Sequence, residues 1–225
     1  MHFIFTKSII SYMNALILLF YRIVTFFTRV PAKTRASHTL IRASKLSDNI
    51  LSNSYYINRQ ADLSDIPYGT GDLGLNGCGP IALFNAIRAL DEDESKVNDV
   101  TSNINFSSIV DYLELKGAAF GGKLGTSPHI INRFLILKGY TTEIFSGKKS
   151  DKLNKFSEEF EAFISLIYND SGSLKKGLHF ICTKKNVYGS FTTHNPERTS
   201  DTLYKALNMC SQDEIRHVCT IGIKK

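Results

Sequence analysis

Leu75-Asn76-Gly77-Cys78-Gly79-Pro80-Ile81-Ala82-Leu83-Phe84-Asn85-Ala86-Ile87-Arg88-Ala89-Leu90 is the stretch around which this chain of 225 residues organises itself. Ile81, Phe84, Ile87 and Leu90, with Ala82 and Ala86, recur at helical period and predict a helix with a buried face. Pro80 suits the first turn, where a missing N–H costs nothing. Gly77 and Gly79 let the backbone turn sharply and let a substrate approach it closely. Cys78 is therefore expected at the N-terminus of a buried helix, where the positive end of the helix dipole and unpaired N–H groups favour a thiolate. The plainer alternative is a small residue packed beneath a turn.

A thiolate used as a nucleophile needs a base, and the base needs a group to orient it. Leu178-His179-Phe180-Ile181-Cys182-Thr183 and Phe191-Thr192-Thr193-His194-Asn195 are short runs on either side of a turn around Asn186 and Gly189, and they predict a β-hairpin. On such a hairpin His179 and Asn195 come together at one end. An amide oxygen accepting from the imidazole N–H would fix the tautomer and leave the other nitrogen for the thiol. His194 is the rival base. His129 is expected on the surface at the start of a helix, and the histidines at 2, 38 and 217 have no comparable setting. Upstream, the amide of Gln60 could join the Cys78 N–H as an oxyanion donor.

Gln60, a short Tyr68-Gly69 loop, Asn76-Gly77-Cys78-Gly79-Pro80 opening a helix, His179-Phe180-Ile181, and Asn195-Pro196 sixteen residues after His179 occur in that order. Together they resemble the papain-like cysteine peptidases. The branch they are most similar to holds the double-glycine leader peptidases of bacteriocin exporters and their stand-alone relatives. Asn195 departs from the Asp usual in the exporter peptidases, although papain itself has Asn. The resemblance covers residues 58–196, and a strand over 215–223 would complete the sheet. It implies an α+β papain-like fold, with a helical lobe carrying the nucleophile packed on an antiparallel sheet carrying His and Asn. It also implies a peptide or protein substrate, cleaved at peptide or isopeptide bonds by Cys78, His179 and Asn195 with Gln60 in the oxyanion hole. A related acyl transfer, or a catalytically silent binding domain of the same fold, is the alternative. The exporter's transmembrane and ATPase modules have no counterpart in these 225 residues, so the exporter role is not carried over.

The remaining body reads as helices at 107–116 and 128–138, a strand at 140–145, a helix at 151–168 with an aromatic stripe, and a helix at 200–209. Gly117 to Leu124 nearly matches a phosphate-binding loop. Leu124 replaces the hydroxyl that would hold magnesium, and the segment follows a helix, so a loop beside the groove is the better reading. Cys78, Cys182, Cys210 and Cys219 form no C-x-x-C pair, and no metal, cofactor or structural disulfide is expected. Cys182 and Cys219 sit in apolar runs and are expected in the core.

Charge divides the chain in two. The net charge is +6, from 27 Lys and Arg against 21 Asp and Glu. Residues 1–47 hold Lys7, Arg22, Arg29, Lys33, Arg35, Arg42 and Lys45 and no acid, which leaves 20 basic and 21 acidic side chains for residues 48–225. A near-neutral body argues against a nucleic-acid partner. Ser8 to Phe27 carries one charge and is long enough, as a helix, for the roughly 30 Å apolar core of a bilayer, although Asn14 and Arg22 oppose spanning. A helix lying in the membrane interface, an organelle presequence and upstream sequence read from a wrong start are the alternatives. If the segment spans, the positive-inside rule keeps the body in the cytoplasm. The expected organisation is a basic hydrophobic segment and linker at 1–47, followed by the peptidase-like domain at 48–225. Within this, residues 30–58 read as linker and lead-in.

Overall fold

A computed structural model describes residues 2–27, 29–46, 56–91, 105–146, 150–169, 177–186, 191–195 and 217–225, with side chains in the first helix from residue 12 onward. The helix predicted at 200–209, Cys210 and the hairpin turn lie outside the described residues. Helices α1 (His2–Phe27) and α2 (Ala32–Leu46) open the chain. A single 3-10 turn (Gln60–Leu63) and the two-residue strands β1 (Pro67–Tyr68) and β2 (Gly71–Asp72) lead to α3 (Leu73–Asn76) and α4 (Cys78–Asp91). Then come α5 (Phe106–Lys116), α6 (Pro128–Leu137), β3 (Thr141–Phe145), α7 (Ser150–Glu159), β4 (Ala162–Tyr168), β5 (Leu178–Lys185), β6 (Phe191–His194) and β7 (His217–Lys224). Strands β3-β7-β4-β5-β6 form one five-stranded sheet in which every neighbouring pair is antiparallel. The architecture is thus α+β: helices gathered against an antiparallel sheet.

The centre of the sheet explains one departure from the predicted elements. Residues 151–168 do not form one helix; α7 ends at Glu159, and residues 162–168 are a strand buried along its whole length. Phe156, Phe160, Phe163, Ile164 and Ile167 fit a helical stripe only because nearly every residue of Ala162-Phe163-Ile164-Ser165-Leu166-Ile167-Tyr168 is apolar. A central strand covered on both faces has such a continuous run, and periodicity cannot separate it from a buried helix. The two faces are distinct. Ala162, Ile164, Leu166 and Tyr168 join the main core with α4, whereas Phe163 joins Phe156 and Phe160 in a second cluster beneath α7. Gly222 on β7 lies under that second cluster: a Cβ there would sit 2.6 Å from Phe156 Cζ and from Phe160 Cγ.

Residues 32–46, predicted as linker, instead form α2, which packs on α5. Its Arg42 is fully buried. Arg42 Nη2 donates to Glu114 Oε2 at 2.8 Å and also to Asp111, and Nη1 donates to the Pro67 carbonyl at 2.8 Å. Glu114 Oε1 in turn accepts from the Gly69 N–H at 2.8 Å and bonds His38 Nδ1 at 2.6 Å. A guanidinium forked between two carboxylates and a carbonyl has its donors met without water. This network ties α2 and α5 to the β1–β2 loop. The inner face of α1 is also built into the body: Tyr21 and Val24, with Val30 and Leu46, belong to the main core cluster. Asn14 donates to the His217 carbonyl at 2.8 Å and accepts from Tyr168 Oη at 3.0 Å. Among the described residues no single helix is long and apolar enough to cross a membrane.

Candidate active site

Asp72 caps α3 by accepting from the Leu75 N–H at 2.8 Å, and the short helix stops at Gly77. α4 begins at the next residue, so Cys78 occupies the helix N-terminus that the Gly77-Cys78-Gly79-Pro80 pattern predicts. Both glycines are dictated by space. A Cβ on Gly77 would lie 2.3 Å from the Leu73 carbonyl oxygen, and one on Gly79 would lie 2.6 Å from Thr126 Cβ. Thr126 is itself held by the buried Tyr68, hydroxyl to hydroxyl at 2.7 Å. Gly77 has φ −85°, an angle any residue adopts, so close packing rather than a special turn accounts for it.

The sulfur of Cys78 hydrogen-bonds the His179 side chain and accepts from the main-chain N–H groups of Phe180 and Gly79. Burial pushes this thiol up. The hydrogen bond and positive charge of His179, aided by the two N–H groups, outweigh burial and hold it below the ordinary thiol value. Cys182 lies deep in the same core without such partners, and burial pushes its thiol far up. Cys78, Cys182 and Cys219 are not joined in disulfides.

His179 and Asn195 meet, though through a different atom from the one predicted. The β5–β6 hairpin pairs Cys182 with His194 and Lys185 with Phe191. Directly after β6 the chain turns at Asn195, whose φ is +54°. His179 Nε2 lies 2.9 Å from the Asn195 main-chain oxygen, where a side-chain amide oxygen was expected. A carbonyl oxygen can only accept, so Nε2 carries the proton and Nδ1 is left for the sulfur. The Asn195 side-chain nitrogen is buried and has no partner among the described residues. The Asn195 N–H donates to Asn58 Oδ1 at 3.3 Å. Asn58 follows Ile57, which a buried Asn85 on α4 grips in both directions: the Ile57 N–H donates to Asn85 Oδ1 at 2.9 Å, and Asn85 Nδ2 donates to the Ile57 carbonyl at 2.8 Å. The helix bearing Cys78 thus also holds the segment that positions Asn195. A polar residue at a buried step of an apolar helix was the signal for Asn85.

Gln60 is held against α3. Its Nε2 donates to the Gly74 carbonyl at 2.9 Å, and among the described residues it makes no hydrogen bond to Cys78 or His179. His194, the rival base, stacks on Tyr56 with ring centroids 3.7 Å apart. His129 is partly buried rather than a surface residue, and burial lowers its affinity for a proton. No group of three or more potential metal ligands occurs among the described residues.

Cys78 opens onto a cavity of about 870 Å3 whose lining is mainly apolar. Phe180 and Leu178 of β5, Leu166 of β4 and Leu75 of α3 contribute to it, and so do Leu124, Gly125 and Thr126 of the loop predicted to lie beside the groove. The unforeseen wall is α1, which supplies Met13, Leu16, Ile17 and Phe20. Tyr21 on the same helix donates to the Leu124 carbonyl at 2.8 Å, and its phenol is pushed up by burial and by the nearby Cys78 and Cys219. The hydrophobicity of 8–27 was legible, but its use as a cavity wall depends on contacts far apart in sequence. In comparisons with known proteins, the chain matches no family model and no curated protein.

Proposed function

We propose that the chain is a papain-like cysteine hydrolase acting on peptide or isopeptide bonds. One observation carries the reading: a thiol at a helix N-terminus is bonded to a histidine whose second nitrogen is fixed by a backbone carbonyl. The α+β arrangement supports it too, with the helix bearing Cys78 packed against the sheet that bears His179.

In this reading the Cys78 thiolate attacks the carbonyl carbon, forming a C–S bond as the carbonyl electrons move onto oxygen. Main-chain N–H groups at the start of α4 and the second amide N–H of Gln60 stabilise that oxyanion. The intermediate collapses, the C–N bond breaks, and the departing amine takes the proton from His179 Nδ1. Water then attacks the thioester and gives a proton to His179; the C–S bond breaks and the thiolate returns. Asn195 is a positioning residue that holds the imidazole through its main chain.

The test is intact-mass trapping of the full-length protein with a panel of peptide aldehydes and activity probes, run beside Cys78→Ala. A probe captured by the wild type and not by the variant is the expected result. Capture at Cys182 or Cys219 with Cys78 inert would remove the basis of the reading.

A further inference from the structure

The inner face of α1 is committed to the body through Asn14, Tyr21 and Val24, yet its outer face is as apolar as its inner one. Tyr12, Leu16, Leu19, Ile23 and Phe26 follow one another at helical spacing along a ridge, with Phe20 and Phe27 beside it. All seven are exposed, from 43% at Phe20 to 75% at Phe27. A helix on the surface of a water-soluble domain carries polar residues on that side; here, among the described residues, the ridge is flanked by Arg22 and by Arg29, whose guanidinium lies over the Phe26 ring. The ridge continues onto the body. Phe20 stacks on Phe120 with centroids 6.1 Å apart, and Leu75 and Leu124 are exposed next to it.

Leu16, Leu19, Phe20, Ile23, Leu75 and Leu124 both line the Cys78 cavity and remain exposed, so they form its mouth. Among the described residues, Lys123 is the one charged residue lining the cavity. Arg22, Arg29, Lys33 and Lys123 are exposed, and residues 1–47 contain no acid. An apolar ridge whose own segment, residues 1–47, carries cations and no acid matches an anionic lipid surface, in which apolar side chains enter the acyl boundary while Lys and Arg meet headgroups. The stretch from Tyr12 to Phe27 measures about 23 Å and would lie in the plane, because its inner face cannot leave the body without stripping Asn14 and Tyr21 of their partners.

We propose that the outer face of α1, with Leu75, Phe120 and Leu124, docks on an anionic bilayer and presents the mouth of the Cys78 cavity to it, so that the cavity receives the apolar chain of a membrane-resident substrate. The substrate part rests on Cys78 being the nucleophile; the docking part does not.

Full-length protein is floated with vesicles of phosphatidylcholine and phosphatidylglycerol, and with vesicles of phosphatidylcholine alone. Wild type is expected to float with the anionic vesicles, and Arg22→Glu with Lys123→Glu to weaken binding at least about tenfold. Leu19→Glu with Ile23→Glu changes only exposed positions and is expected to weaken binding by a similar factor or more, about tenfold at least. The chain has no Trp, so Leu19→Trp supplies a lone reporter that brominated lipid should quench. Wild type remaining with the aqueous phase, a Leu19→Trp signal untouched by brominated lipid, or a wild-type dimer that Leu19→Glu with Ile23→Glu makes monomeric would each overturn the docking.

The substrate part is read by alkylation of Cys78, in which the sulfur displaces iodide and forms a thioether. On anionic vesicles an iodoacetamide bearing a long N-alkyl chain is expected to react about tenfold faster than iodoacetamide itself, through burial of the chain. Equal rates at a reactive Cys78 would overturn the cavity's role while leaving the nucleophile in place. A Cys78 inert to both reagents would remove the nucleophile and the substrate part with it, and flotation would then decide the docking alone.

Discussion

His179 and Asn195 are joined at 2.9 Å by a ring nitrogen and a main-chain oxygen, so what orients the imidazole is the path of the backbone at residue 195. That path has φ +54°, a region glycine enters freely and β-branched residues resist. Asn195→Gly is therefore expected to keep kcat/KM within about threefold of wild type, whereas Asn195→Val should lose about tenfold or more through strain of order 1–3 kcal/mol. The comparison is made on any substrate the trapping panel reveals. A large loss in Asn195→Gly would return the orienting role to the side chain.

Iodoacetamide capture against pH tests the Cys78–His179 pair. The thiol sits below its ordinary value because His179 and two N–H groups favour the anion over the opposing effect of burial. The rate at Cys78 is thus expected to rise with an inflection below pH 9, and His179→Gln should move that inflection upward. Cys182, which burial pushes up, should stay unlabelled throughout and serve as the internal control.

Arg42 and Glu114 are both buried and bonded to each other; Arg42 also donates to Asp111, while Glu114 keeps only His38 and the Gly69 N–H once the guanidinium is removed. Arg42→Ala is expected to cost about 3–5 kcal/mol in denaturant unfolding, and Arg42→Met with Glu114→Leu to cost less than the sum of the single changes. Because Glu114 also holds the Gly69 N–H, the double variant should not recover fully. Additive losses would show that the pair is not coupled.

His217 makes stability acid-sensitive. Burial lowers it to about 4, from 6.5. As pH falls, the unfolded chain takes up this proton first, so stability is present above about pH 6.5, declines below it and levels off beneath about pH 4. The span amounts to roughly 3 kcal/mol. His217→Asn should flatten that part of the unfolding profile, and a slope unchanged in the variant would assign the acid sensitivity to other groups.

Gly222→Ala puts a methyl group against Phe156 and Phe160. Overpacking of this kind costs about 1–3 kcal/mol. A lower melting temperature is expected with little change in Cys78 alkylation, because Gly222 packs beneath α7 in the second aromatic cluster while Cys78 belongs to the main core.

Cys78 and His179 were legible because each is set in short-range context: glycines and a proline around the thiol, and an alternating strand around the histidine. Asn195 was legible as a position and misread as an atom, since a sequence shows that an amide is present and not that the chain turns left-handed there. The strand at 162–168 was hidden by its own hydrophobicity, which satisfies a helical template as readily as a buried strand. α2 was hidden for the opposite reason. Ala32-Lys33-Thr34-Arg35-Ala36-Ser37-His38-Thr39-Leu40 looks solvated, and the worth of Arg42 depends on acids about seventy residues away.

That distance in sequence has a practical meaning. A protein expressed from Asp48 onward, which the charge pattern invites, would lack Tyr21, Val24, Val30 and Leu46 from its core and one wall of the cavity beside its thiol. It would also keep Glu114 as a buried anion whose cation had been cut away. Insolubility of such a shortened form would therefore say little about residues 48–225 themselves: the basic leader is less a handle on the domain than one of its structural members.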